Sequence, residues 1–325
     1  MTLPVVNVYV LGGTITMAPG ADGITPTLTG ADLTSGVPGL AQLARLNVHT
    51  PFLKPGASLA MAEIAQVAKD IAADTQAHGF VVVQGTDTID ETSFLLQLLH
   101  RGQAPLVVTG AMRGAAAPSA DGPANLTAAV ATAVGHNARG QGVLVVLNDE
   151  IHHAAAVEKM HKGLTSSFQS PNGGPLGYFM EGTARMVRTL GTSGLPHFTP
   201  ARFGKVALLK VSLDDDTDLL SALPGLGYEG VVIEAMGVGH TPEKWASALE
   251  ATAQKMPVVL ASRVVGGPIF RSTYGFPGSE IDLLKRGLIP AGWLSAHKAR
   301  LLLSVAIGSD LKPQEIKAAF EAFDQ

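Results

Sequence analysis

The sequence predicts an α/β protein of two domains, each built on a parallel sheet. Three observations carry that expectation. Short β-branched runs alternate with amphipathic segments along both halves of the chain. The runs are almost continuously apolar, as strands buried on both faces must be. After residue 188 the alternation breaks into "TLGTSGLPHFTPARFGK", whose Gly, Pro and Thr mark a connection. The expected boundaries are residues 1–188 for the larger N-terminal domain, 189–205 for a linker and 206–325 for the smaller C-terminal domain.

Taken in order, Val5 to Leu11 is a first strand and Leu46 to Phe52 a second. Phe80 to Gln84 ("FVVVQ"), Pro105 to Thr109 and Val143 to Leu147 ("VLVVL") follow. Between them, the 3.6-residue spacing of apolar side chains predicts helices over Met61 to Gln76, Ile89 to His100 and Gly122 to Val134, with Asp121 as the N-cap of the last. In the C-terminal part, strands are expected at Val206 to Val211, Gly230 to Ile233 and Pro257 to Ala261. Its helices are expected at Pro242 to Lys255, Ala296 to Ala306 and Lys312 to Phe323. No internal repeat or low-complexity tract interrupts this plan.

Composition narrows the chemistry. An apolar fraction of 46% with 15% charged residues describes a chain that buries much of its surface. A net charge of −4 leaves no basic footprint for nucleic acid. No apolar stretch approaches the roughly 20 residues that span a bilayer. With no cysteine, disulfides, thiolate metal sites and cysteine nucleophiles are excluded, leaving hydroxyls, carboxylates, Lys and His. The N-terminal segment "MTLPVVNVYVLGG" reads as a strand rather than a signal peptide, which makes a cytoplasmic location the expectation.

In an open parallel sheet, ligands bind outside the carboxyl ends of the strands. The residues at those exits are "GGTIT", "GTDTIDE", "GAMR" and "NDEIHH". Two of the four carry a Gly-Thr pair, which places Thr14 and Thr86 at one edge of one sheet. A nucleotide cradle is poorly matched, since "LGGTIT" lacks the third glycine of G-x-G-x-x-G and no Walker lysine is present. Thr88 with Glu91 fits a capping box, which would account for that pair but leaves Thr86 and Asp87 unexplained. A threonine hydroxyl needs a base to become a nucleophile. Lys159, after the fifth strand, is a candidate if it stands beside Asp87; otherwise it is a solvated surface lysine. His152, His153 and His161 fit no common zinc spacing, so neither a metal nor another cofactor is expected.

Together "LGGTIT", "QGTDTIDET", "GAMR" with "SADGPANL", "GVLVVLND" and "GLIPAGWLSAHKARLLLSVAI" resemble, in order from about Val5 to Phe323, the bacterial L-asparaginase/glutaminase family of two-threonine amidohydrolases. The resemblance implies a flavodoxin-like parallel-sheet N-terminal domain, a smaller C-terminal α/β domain, and homodimers or homotetramers with sites shared between subunits. It implies hydrolysis of a small-molecule amide without cofactor. By position in these motifs, Thr14 corresponds to the nucleophile and Thr86, Asp87 and Lys159 to the second threonine with its carboxylate and lysine. Backbone N–H groups around Gly85, Thr86 and Ala111 correspond to the oxyanion donors. Glu280, in an expected loop "FPGSEID", corresponds to the acid that reaches a neighbouring subunit's site.

Three departures bear on the substrate. The loop from Met17 to Gly30 has no tyrosine, and Tyr274 is the candidate replacement. The stretch that grips the substrate α-carboxylate is "PGASLAM", which puts Gly56 and Ala57 at its Ser and Gln positions, or recruits Ser58 after a one-residue shift. Where the family has an asparagine, this chain has His240. Loss of a hydroxyl at Gly56 would weaken carboxylate binding by about 1 kcal/mol or more. The expected activity is conversion of L-asparagine to L-aspartate and ammonia, with minor glutaminase activity as an extension. An amidase for a D-amino acid or peptide-linked amide, or a catalytically silent amino-acid sensor, are the alternatives.

Overall fold

The structure, a computed structural model, is described for residues 2–13, 17–20, 23–26, 34, 36–190 and 194–324, with backbone alone at 17–20 and 23–26. It divides into two compact units, Met1–Ser193 and Gly194–Gln325.

In the first unit the chain runs through β1 (Val5–Val10), β2 (Met17–Gly20), β3 (Gly23–Pro26), α1 (Leu40–Leu43), β4 (Arg45–His49) and α2 (Met61–Ala73). It continues through β5 (Gly79–Val83), α3 (Ile89–Leu99), β6 (Leu106–Thr109), α4 (Gly122–Val134), β7 (Val143–Leu147), β8 (Glu150–His153), β9 (Glu158–Lys159), β10 (Phe168–Gln169), β11 (Gly177–Met180) and β12 (Thr183–Met186). The main sheet has the order β12-β11-β8-β7-β6-β5-β1-β4. Strands β4, β1, β5, β6 and β7 are mutually parallel. Every residue of β5 and β7 is buried, as coverage on both faces requires. Val6, Val8, Val10, Val81, Val83 and Val107 share one core with Leu126, Ala129 and Val130 of α4, while α3 packs on β6 and β7.

One edge of this sheet departs from the parallel expectation. β8, β11 and β12 add to it in antiparallel fashion. The cause is local: Asn148 and Asp149 adopt φ of 52° and 62°, so the chain leaving β7 turns straight back in a two-residue hairpin. What reads in sequence as another ligand-bearing strand exit, "NDEIHH", is this turn and its return strand. Glu181 (φ 52°) and Gly182 (φ 76°) make the matching turn between β11 and β12.

Smaller differences have equally local reasons. Strand β4 spans Arg45–His49, ending before Pro51 instead of reaching Phe52. Helix α2 stops at Ala73 because the Asp74 carboxylate accepts the N–H groups of Gln76 and Ala77. Thr88 does not cap α3 with its side chain; its hydroxyl donates to the Gly56 carbonyl instead, 3.1 Å away. Asp121 precedes α4, but its carboxylate accepts N–H groups of Met112 and Arg113 rather than capping the helix.

The second unit holds β13 (Val206–Lys210), α5 (Asp218–Ala222), β14 (Gly230–Ala235), α6 (Ala246–Ala253), β15 (Val258–Ser262), α7 (Glu280–Lys285), β16 (Ile289–Pro290), α8 (Ala296–Gly308) and α9 (Pro313–Glu321). Its sheet, β13-β14-β15-β16, is wholly parallel. α8 lies against β13, β14 and β15, and α9 packs on α8 and β16. Two sequence expectations change here. The segment Pro242 to Lys255 is a short 3-10 turn at Glu243–Trp245 followed by α6. Glu280 opens the helix α7 rather than sitting in a loop.

Candidate active site

The site begins where β1 ends. Gly12 and Gly13 have φ of 112° and 92°, a backbone region that L side chains rarely adopt. A Cβ on Gly13 would collide with the Gly85 backbone, and one on Gly12 with Lys54. Gly85 in turn lies against Gly56, where a Cβ would stand 2.8 Å from the Gly85 carbonyl oxygen. Four glycines thus let the exits of β1 and β5 and the loop before α2 meet backbone to backbone. Thr88 locks this contact, accepting from the Gln84 amide at 3.2 Å while donating to Gly56. Thr14, the expected nucleophile, follows Gly13 directly and lies outside the described residues.

Beyond Gly85 the chain turns through Thr86–Thr88 into α3. Thr86 is buried, and its hydroxyl is 2.9 Å from the Lys159 ammonium. The same Nζ donates to Asp87 Oδ1 at 3.1 Å. Lys159 comes from β9, and its own backbone N–H donates to Asp90 Oδ2 at 3.1 Å. The sequence-predicted Thr86, Asp87 and Lys159 are therefore one hydrogen-bonded group. Asp87, Lys159, Met160, His161 and Lys162 line a depression of about 610 Å³ over it.

On the other side of β5, the exit of β6 runs beside Thr86, so that a Cβ on Gly110 would touch the Thr86 methyl at 3.5 Å. Ala111 follows and is buried. This turn is held from below by two residues of the "SADGPANL" segment. Asn125 donates to the Gly110 carbonyl at 3.0 Å, and Asp121 accepts from Met112 and Arg113. Of the carboxylate-grip candidates, Gly56 faces the Gly85–Thr88 segment, whereas Ala57 and Ser58 are exposed on the turn after it.

His240, Tyr274 and Glu280 form a second cluster within the C-terminal unit. Glu280 is fully buried: Oε1 accepts the N–H groups of Thr273 (2.9 Å) and Tyr274 (2.7 Å), and Oε2 is 3.2 Å from His240 Nε2. The His240 ring meets Tyr274 and Phe276 edge-on, each at 5.0 Å between centroids. Burial works to raise the Glu280 carboxyl, but the Tyr274 and Thr273 amides, its own N–H and His240 together hold it below the ordinary glutamate range.

The three histidines whose spacing fits no common zinc motif have structural partners. His152 Nδ1 meets Ser170 Oγ at 2.9 Å, and His153 Nδ1 accepts from Ala155 N. His161 Nδ1 accepts the N–H groups of Gly163 and Leu164.

Residues 5–191 match the family model "Asparaginase, N-terminal", and residues 205–320 match "Glutaminase/Asparaginase C-terminal domain". The chain belongs to the asparaginase/glutaminase family. It is 34% identical to a "Probable L-asparaginase" of Deinococcus radiodurans, covering 98% of each chain. Its identity to "L-asparaginase 2" of Escherichia coli is 32%, over 99% of this chain and 94% of that one. The crystal structure of a "Probable Cytoplasmic L-asparaginase" from Campylobacter jejuni superposes with a TM-score of 0.87 at 30% identity, over 98% of this chain and 99% of that chain. Family membership confirms the flavodoxin-like reading of the first unit at the level of fold.

Proposed function

We propose that this protein is an L-asparaginase that hydrolyses the side-chain amide of L-asparagine to L-aspartate and ammonia through a threonine acyl-enzyme. The observation that carries the reading is the Lys159 ammonium between Thr86 Oγ1 and Asp87 Oδ1, at 2.9 and 3.1 Å, at the exit of β5 against which Gly13 packs. In the first step the Thr14 oxygen forms a bond to the amide carbon, the C–N bond breaks, and nitrogen leaves as ammonia with one proton gained. In the second, water adds to the ester carbon and the threonine oxygen leaves with the water's proton, releasing the acid. Thr86 and Lys159 form the path that carries these protons, and Asp87 fixes Lys159. Backbone N–H groups at Gly85, Thr86 and Ala111 stabilise the oxyanion. No cofactor enters this scheme.

The substrate is tested directly because Gly56 packs too closely on Gly85 for any side chain to stand there, so a hydroxyl for the substrate carboxylate is not supplied from this position. The working unit in this reading is a homodimer or homotetramer, in the cytoplasm, with Glu280, His240 and Tyr274 completing a neighbouring site. Ammonia release from purified protein is measured with L-asparagine, L-glutamine, D-asparagine and an asparagine-containing peptide. Fastest release from L-asparagine is expected. Release only from another amide assigns the amidase alternative, and binding of L-asparagine with no release from any amide assigns a sensor.

A further inference from the structure

Lys159 lies on β9, a strand of two residues that pairs only with β10 in a ladder separate from the main sheet. Sheet hydrogen bonds therefore do not set where this lysine stands relative to Thr86. Among the described residues, one carboxylate ties the lysine's backbone to the segment that carries Thr86. Asp90 sits in the first turn of α3, 7% exposed, and its Oδ2 accepts the Lys159 backbone N–H at 3.1 Å across 69 residues of sequence. Its Oδ1 accepts the N–H of Glu91 at 3.1 Å, which fixes the side chain to the helix it comes from.

We infer that Asp90 is a positioning residue for Lys159, tying the lysine's backbone to the same helix N-terminus that carries Thr86 and Asp87. The inference rests on the reading of Lys159 as part of the proton path. A lysine side chain has four rotatable bonds and one compact charge, so an ammonium reaches a given point reliably only when its own backbone is held. Thr86, Asp87 and Asp90 lie within five residues of one another on one turn-and-helix segment. With Asp90 holding Lys159 N and Asp87 holding Lys159 Nζ, both ends of the lysine are referred to that segment. Motion of the β9–β10 hairpin then moves lysine and threonine together. On its far side the hairpin is held by His152 Nδ1 against Ser170 Oγ at 2.9 Å, so loss of Asp90 frees the lysine end without releasing the whole hairpin.

The test compares Asp90→Ala, Asp90→Ser and Asp90→Asn with wild type and with Lys159→Met, in the full-length protein. Steady-state turnover of L-asparagine, or of the amide found to be the substrate, is read with the dissociation constant for the product acid by calorimetry. Asp90→Ser keeps a polar group in the helix first turn but is too short to reach Lys159, and it serves if Asp90→Ala does not fold. Asp90→Asn retains one carbonyl oxygen that can accept from Lys159 N. The expected result is a fall in kcat of roughly tenfold to a hundredfold for Ala or Ser, as a small misplacement of a reacting group produces. KM and product affinity should stay within about twofold of wild type, and Asn should recover most of kcat. A folded Ala or Ser variant with wild-type kcat overturns the inference provided Lys159→Met is inactive. So does a loss in which Asn fares no better than Ala, or one in which kcat, KM and product affinity deteriorate together as in a general loosening of the fold. If Lys159→Met itself turns over normally, the proton-path reading fails and this inference goes with it.

Discussion

At Thr86 one hydroxyl separates two roles that a single side chain can combine, packing and proton transfer. Thr86 is buried beside Gly110, so its methyl fills space while its Oγ1 meets Lys159. Thr86→Val keeps the shape and removes only the oxygen. Turnover is expected to drop by about a hundredfold or more, the scale of a lost general acid–base step, while the thermal midpoint changes little. A valine variant that retains a tenth of wild-type turnover, by the rate-to-free-energy relation, would remove Thr86 from the proton path. Glu280 makes a different prediction, about pH. Its carboxyl is held below the ordinary glutamate range in the folded chain, chiefly by the Tyr274 and Thr273 amides working against burial, so as the pH falls into that range the unfolded chain binds the proton more readily than the folded one. Stability from Glu280 is thus fully present above the unfolded value and is lost as pH falls toward the folded one. Glu280→Gln should show a shallower loss of stability between about pH 5 and pH 3 than wild type in urea titrations. Equal slopes in the two proteins would contradict the depressed carboxyl.

Among the elements, the exits of β6 and β7 are joined by one amide. Asn125 of α4 donates to the Gly110 carbonyl and to Asp121 Oδ2, and accepts the N–H of Asn148 at 2.9 Å. It therefore joins the turn beside Thr86 to the hairpin that starts the antiparallel edge. Asn125→Ala strips these buried partners and should cost about 2–3 kcal/mol in denaturant unfolding, with a loss of turnover at temperatures where the protein remains folded. A cost near zero would mean that water replaces the amide. This element also shows what a sequence discloses. The central parallel strands β1, β5, β6 and β7 were legible because strands covered on both faces are nearly all apolar, whereas the edge strand β4, RLNVH, alternates. The antiparallel edge was not, because "EIHH", "GYFM" and "TARM" are four-residue runs that mix apolar with polar side chains, and Asn148–Asp149 carries the same residue types as a binding loop. Thr86, Asp87 and Lys159 were legible through motif order and family likeness. Asp90, Gly110 and Asn125 were not assigned, since their partners lie 69, 15 and 23 residues or so away and leave no local pattern. Thr88–Glu91 erred in the opposite direction: it satisfies a capping rule, yet the threonine hydroxyl is taken by Gly56.

For the whole molecule, the question is which chain supplies the C-terminal cluster to an active site. Glu280 is fully buried in its own unit, while Tyr274 and Phe276 above it are 43% and 48% exposed. Exposed aromatics around a held charge suit a surface that closes on another copy of the chain. In the proposed symmetric dimer each such surface would serve the partner, so that two sites would form from reciprocal contributions. Glu280→Ala releases the Thr273 and Tyr274 amides and His240 at once, and is expected to inactivate the site it completes, whether or not the carboxylate touches substrate. Thr14→Ala is expected to inactivate by loss of the nucleophile. Mixing the two inactive proteins under conditions of verified subunit exchange places one intact Thr14 opposite one intact Glu280 in each mixed dimer. Recovery to about a quarter of wild-type activity follows from random exchange of equal amounts, since half the dimers are mixed and each carries one working site of two. No recovery after verified exchange would show that each chain completes its own site.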